Sequence, residues 1–169
     1  EQTLAGIAVC RKRQYPIDFG TGTFVETCDV ANLREYSERL IEASGYEGIC
    51  EVEFKFDERD GKLKLFEVNP RLYKWHALGL RLGLNYPKMF IDAALGRPVE
   101  GGFVTSRDRR AAWRDVFSDA AAIVGGLRKG DVTLGELVRD LRVPKSDSVF
   151  ALSDIRPFCY LVGLLPKLA

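Results

Sequence analysis

In EVEFKFDERDGKLKLFEVNPR, residues 51–71, the hydrophobic period is two, breaks at a turn and then resumes. Val52, Phe54 and Phe56, continuing from Cys50, point one way, while Glu51, Glu53, Lys55 and Asp57 point the other. That alternation describes a strand with one wet face. ERDGK carries an Asp60-Gly61 turn signal and residues 63–69 read as the returning strand, so the stretch predicts an antiparallel hairpin. A turn symmetric about Asp60 sets Glu53 opposite Glu67, Glu51 opposite Asn69, Val52 against Val68 and Phe54 against Phe66. One face is then expected to be apolar core. The other gathers Glu51, Glu53, Glu67 and Asn69 at one end.

Directly opposed side chains start from Cβ atoms ~5 Å apart, where two carboxylates repel by about 3 kcal/mol at an effective dielectric near 20. Against a total stability of roughly 5–15 kcal/mol, that repulsion calls for something to neutralise it. A proton shared by the two glutamates would serve. A divalent cation explains more, because Asn69 adds a neutral oxygen on the same face as Glu67. Oxygen donors without thiol or imidazole favour a hard ion, Mg²⁺ or Mn²⁺, whose shell is usually completed by water and phosphate. Arg71, just past Pro70, can then reach an anionic oxygen with its planar fork. The competing reading is a solvated strand face on which Lys55 and Arg71 pair the glutamates. A lone E-x-N would favour that reading, whereas Glu53 opposite it and Pro70-Arg71 beside it favour a site.

Composition narrows the rest. The 169 residues suit one domain or one and a half, and 46% hydrophobic content supplies a core. Lys plus Arg number 25 against 24 Asp plus Glu, so no general electrostatic attraction to nucleic acid or an anionic membrane is expected. RDRR at 107–110 is too short to change that. Cys10, Cys28, Cys50 and Cys159 form no CxxC pair and the single His76 cannot complete a zinc set, which points to a reduced, cytoplasmic chain. The apolar tail FCYLVGLLPKLA is shorter than a membrane span and interrupted by Pro166, so a soluble protein is expected. A start at Glu1 that runs at once into the strand-like LAGIAVC suggests a piece of something longer.

Outward from the hairpin, RKRQYP and DFGTGTFVET read as a cationic strand end, a turn at Gly20 and Gly22, and a strand resuming from Phe24. A helix follows, capped by Asp29, with Leu33, Tyr36, Leu40 and Ile41 on one face and Gly45 at its stop. After Arg71 come a glycine-punctuated segment and a short helix from about Tyr86, with Pro87 in its first turn and Gly96 at its end. GRPVEGGFVTSRDRR looks like a connector, giving a division into residues 1–100 and 101–169. Beyond it AAWRDVF reads as a strand, followed by helices opening at Ser118 and at Thr133, where Thr133 and Glu136 have capping-box spacing. Arg11, Lys12 and Arg13 read as a charged strand edge or, beside FGTGT, as a holder of a carboxylate or phosphate, with Arg13 the preferred residue. Trp75 and Trp113 are expected to pack, and His76, most simply a hydrogen-bonded structural residue, is assigned no role.

At EVEFKFDERDGKLKLFEVNPR the sequence resembles the ATP-grasp superfamily of ADP-forming carboxylate–amine ligases. Their metal-binding hairpin has a glutamate on one strand and E-x-N-x-R on the next. The resemblance makes Glu53 and Glu67 the bridging ligands of the magnesium of MgATP, Asn69 the third ligand, and Arg71 the arginine near the transferred phosphoryl group. RKRQYPIDFGTGTFVET and GLNYPKMFIDAALG resemble the flanking elements of ligases related to D-aspartate ligase and carbamoyl-phosphate synthase, so that roughly residues 1–100 are covered.

The fold implied is α+β: an antiparallel sheet with flanking helices, the C-terminal subdomain of an ATP-grasp fold, followed by a small, mostly helical extension. Nothing in the chain resembles the adenine-contacting segment or the phosphate-binding lysine of the preceding subdomain. The resemblance therefore implies the C-terminal portion of a larger ligase whose missing N-terminal portion is its partner within the polypeptide. Its cofactors would be ATP and Mg²⁺ or Mn²⁺, and its substrates a small carboxylate and an amine or thiol joined through an acyl phosphate. A homo-oligomer is a further expected partner. The alternative is a non-catalytic regulatory or assembly module that retains the fold, and a third reading is a metal-dependent hydrolase acting without ATP.

Overall fold

The computed structural model describes the backbone of residues 5–168 and the side chains of residues 5–164. In chain order its elements are β1 (Gly6–Ile7), β2 (Val9–Tyr15), β3 (Thr21–Thr27), α1 (Leu33–Ser44), β4 (Glu51–Asp57), β5 (Lys62–Asn69), α2 (Ala77–Arg81), α3 (Tyr86–Ala94), β6 (Phe103–Val104), β7 (Ala112–Arg114), α4 (Val116–Lys129), α5 (Leu134–Leu141), β8 (Lys145–Asp147) and α6 (Arg156–Leu168). The expected α+β class is what the chain forms. Its contacts group into two units. One holds the described residues up to Val9 together with Thr27–Arg109, and the other holds Cys10–Glu26 together with the residues from Arg110 on. Each unit is discontinuous in sequence, because β3 pairs with β7 and draws residues 10–26 into the unit that holds the C-terminal residues.

In the first unit β1 and β6 pair in parallel and β4 and β5 pair antiparallel, each as a two-stranded ribbon. The run 4–10 divides into β1 and the start of β2 rather than forming one strand, and its first residue, Leu4, lies outside the described residues. Helix α1 begins from Asn32, in a left-handed conformation with φ 64° and no side-chain cap, and not from the expected Asp29. Asp29 pairs instead with Arg107. Gly45 ends α1 in the left-handed conformation with φ 65°, where a missing Cβ removes the steric cost. Asn85 caps α3 by accepting from the Lys88 N–H at 3.1 Å, with proline in the first turn as read from the sequence. The short α2 occupies the glycine-punctuated segment that sequence periodicity left unassigned. The core of this unit is Tyr73, Leu84 and Tyr86, with Ile7, Ile49, Trp75 and Met89 packed against them.

The second unit is built on a sheet in the order β2-β3-β7-β8, antiparallel between β3 and β7 and parallel between β7 and β8. Antiparallel pairing thus meets one parallel pair at β8. Phe24, Ala112 and Val143 cluster in its core and Trp113 is fully buried. Helix α4 opens one residue after Asp115, which accepts from the Ser118 N–H, rather than at Ser118 itself. Thr133 and Glu136 form the capping box of α5, and the apolar tail lies in α6 as far as Leu168. No described helix is long and apolar enough to cross a membrane.

The hairpin follows the sequence reading at its far end and departs from it nearer the turn. Glu51 pairs with Asn69, Val52 with Val68 and Glu53 with Glu67, as expected. The register then shifts, so that Phe54 meets Leu65, not Phe66, and Asp57 meets Lys62. The cause lies in the four residues of the turn, 58–61, closed by Gly61 at φ 66°. They bring the strands together one residue out of the register that Glu53 and Glu67 keep, and a bulge at Phe66 absorbs the difference. The expectation of an apolar core face is also corrected: Phe56, Leu65 and Phe66 are 57%, 50% and 68% exposed. A two-stranded ribbon has a second layer only where the chain supplies one, and the core of this unit meets the hairpin at its Ile49 and Trp75 end.

Candidate functional site

The end of the hairpin remote from the turn collects the polar residues. Glu53 and Glu67 are direct cross-strand partners and so share one face, Glu53 half-buried and Glu67 exposed. Glu51 and Asn69 are the next pair on that face, since two residues along a strand return to the same side. Asn69, the last residue of β5, is buried, while Arg71 is exposed.

A chain of hydrogen bonds runs through these side chains. The Trp75 indole Nε1–H donates to Glu51 Oε1 at 2.8 Å, and Asn69 Nδ2 donates to Glu51 Oε2 at 3.4 Å. Arg71 Nη2 donates to Asn69 Oδ1 at 3.2 Å, and the Arg71 backbone N–H donates to the Asn69 carbonyl at 2.8 Å. Trp75 is itself held by packing, its ring centroid 4.0 Å from that of Tyr73. Glu51 is legible in the sequence as one of the acids of this face, whereas Trp75 reads only as a packing residue. Six positions beyond Asn69 and outside any motif, Trp75 left only its aromatic character to be read.

The surroundings are apolar enough to move titrations. Burial pushes the Tyr73 phenol far above its usual range, helped by the nearby Tyr86 and the Glu51 carboxylate, and burial pushes Tyr86 up to about 12. The Tyr86 hydroxyl is buried without a hydrogen-bond partner in ordinary geometry. His76 Nδ1 lies 2.7 Å from the Tyr73 carbonyl, which can only accept, so Nδ1 carries the proton. The histidine is tied into the start of α2.

Arg13 belongs to the second unit, and its guanidinium is spent internally. Nε and Nη2 donate to the two oxygens of Asp119 at 2.7 and 2.9 Å, Nη1 donates to Asp140, and the group lies 4.4 Å from the Phe24 ring centroid. Burial opposes its charge, but the hydrogen bonds it donates to the two aspartates, with their negative charge, outweigh it and raise its pKa. Thr23 adds a hydroxyl donor to Asp119 at 3.1 Å. These contacts give Arg13 a structural part within the second unit. Gly20 is a backbone requirement, since a Cβ there would lie 2.1 Å from the Tyr15 carbonyl carbon.

No group of three or more His, Cys, Asp or Glu side chains among the described residues is arranged to hold a metal. The candidate set is of another kind, two carboxylates and a carboxamide. It fits a hard divalent cation: every donor is oxygen, and Glu53 and Glu67 are direct partners on one face with Asn69.

Comparison with known proteins gives the family of the chain. A model of the family described as "ATP-grasp in the biosynthetic pathway with Ter operon" matches residues 1–116. The chain belongs to this ATP-grasp family, and membership implies ATP-dependent, ligase-like chemistry. No curated protein matches, and no solved structure matches.

Proposed function

We propose that the chain carries the metal-holding part of an ADP-forming ligase that joins a small carboxylate to an amine or thiol through an acyl phosphate. Glu53, Glu67 and Asn69 would hold Mg²⁺ or Mn²⁺, and Arg71 would face the charge that develops as the phosphoryl group moves. The observation that carries this reading is the direct opposition of Glu53 and Glu67, with Asn69 on the same face, in a chain of the ATP-grasp family.

A divalent cation, when bound, draws charge from phosphate oxygens and lowers the cost of their transfer. The residues of the chain orient and neutralise. The two glutamates supply the negative charge that retains the ion, Asn69 adds a neutral oxygen, and Arg71 presents a guanidinium beside them. No protein nucleophile is needed, because the substrate carboxylate attacks the terminal phosphorus of ATP, the bond to the ADP oxygen breaks, and the amine or thiol then displaces phosphate. The preceding portion of the same polypeptide would supply the adenine contacts and a phosphate-binding lysine.

The test is ADP release by the full-length polypeptide across panels of small acids and amines, repeated with Glu67→Gln. Acid-dependent ADP release that falls at least a hundredfold in the variant supports the ligase. Nucleotide binding with no ADP release for any acid would mark a non-catalytic module, and phosphoester turnover with Mn²⁺ alone would mark a hydrolase.

A further inference from the structure

A carboxamide has two ends of similar shape and opposite chemistry. Only its oxygen can face a cation, and which end does so is decided by its neighbours. In Asn69 the Nδ2 end meets Glu51 Oε2, a group that only accepts, and the Oδ1 end meets Arg71 Nη2, a group that only donates. Turning the amide over would set its NH₂ against a guanidinium and its oxygen against a carboxylate. Both contacts would become repulsive. Glu51 cannot drift away to relieve this, because its other oxygen takes the Trp75 indole N–H at 2.8 Å and Trp75 is packed on Tyr73 in the core of the unit.

Three glutamates lie on this face, at 51, 53 and 67. In Glu51 both carboxylate oxygens are directed at protein donors, Trp75 and Asn69. We propose that Glu51, clamped by Trp75, is a positioning residue that fixes the orientation of the Asn69 carboxamide, and that it is not itself a metal ligand. This rests on the metal-holding role proposed for Glu53, Glu67 and Asn69.

The experiment is Mn²⁺ titration of the protein, with free Mn²⁺ followed by electron paramagnetic resonance, on wild type, Glu53→Gln, Glu51→Gln, Trp75→Phe and the double variant E51Q/W75F. Loss of a partner that orients a ligand typically weakens metal affinity by about 10- to 100-fold. Glu51→Gln and Trp75→Phe should each weaken Mn²⁺ binding about tenfold, Glu53→Gln should abolish it, and the double variant should bind no worse than Glu51→Gln, because both changes cut one chain. Amide spectra without metal give a second readout: the Asn69 side-chain NH₂ resonances should move in both Glu51→Gln and Trp75→Phe. Glu51→Gln losing as much affinity as Glu53→Gln would make Glu51 a ligand and overturn the proposal. Wild-type affinity with unmoved Asn69 resonances, or penalties that add in full, would overturn it while leaving the metal reading intact. Wild type failing to bind Mn²⁺ would remove the metal reading and this inference together.

Discussion

Glu53 and Glu67 face each other as direct partners across the β4–β5 ribbon, two like charges on one face. Opposed like charges weaken a strand pair, typically by a few tenths to about 1 kcal/mol at an open surface. Glu67→Gln should therefore stabilise the protein slightly in EDTA. Millimolar Mg²⁺ should reverse the order, because an ion bound to the native state alone stabilises only the chain that holds it. Urea denaturation of both proteins with EDTA and with Mg²⁺ checks the crossing, and a variant that ranks the same way in both buffers contradicts it.

The Arg13–Asp119 pair is a buried ionic contact of the second unit, its side chains 8% and 2% exposed. Removing one partner of such a pair strands the other charge and typically costs about 3–5 kcal/mol. Arg13→Ala should lose about that much in chemical denaturation. Arg13→Lys should recover little of it, since an ammonium cannot reach both oxygens of Asp119 and also Asp140 as the planar fork does.

Tyr73 and Tyr86 give a pH prediction. Their phenols lose protons at higher pH folded than unfolded, because burial disfavours the phenolate. The unfolded chain binds fewer protons once pH passes the ordinary tyrosine value near 10. Stability from this source is thus complete below about pH 10 and is lost as pH rises towards the folded values, about 12 for Tyr86. Absorbance at 295 nm should show two of the six tyrosines lagging and ionising together with unfolding. Tyr73→Phe should remove one from the lagging set.

The capping box of α5 is a local device. Thr133 Oγ1 accepts from the Glu136 N–H at 3.3 Å, and Glu136 Oε2 accepts from the Thr133 N–H at 2.8 Å, which also holds the Glu136 carboxyl below its usual range. Thr133→Ala should cost about 1 kcal/mol, read as a lowered urea midpoint with an unchanged slope.

What could be read from the sequence was what a short segment decides for itself. The alternation from Cys50 to Asp57, the Asp60-Gly61 turn, the Thr133 box and the glycine stop at Gly45 are local, and each has its structural counterpart. The opposition of Glu53 and Glu67 was legible because pairing by twos carries register along a strand. The Phe66 bulge was not, since the turn closes one residue away from a symmetry about Asp60, and no residue type announces that. Contacts remote in sequence were equally hidden. Arg13 finds Asp119 and Asp140 across more than a hundred residues, and Trp75 finds Glu51 only after the chain has folded back on its core.

The central claim is that Glu53 and Glu67 share one cation. The most direct test is a crystal structure of the protein grown with Mn²⁺ and ATP, with the metal located by its anomalous scattering. The account predicts one peak roughly 2.0–2.2 Å from a carboxylate oxygen of each glutamate, with Asn69 Oδ1 in or beside the same shell. A peak held by only one of the two, or lying elsewhere on the protein while both side chains point apart, would contradict it.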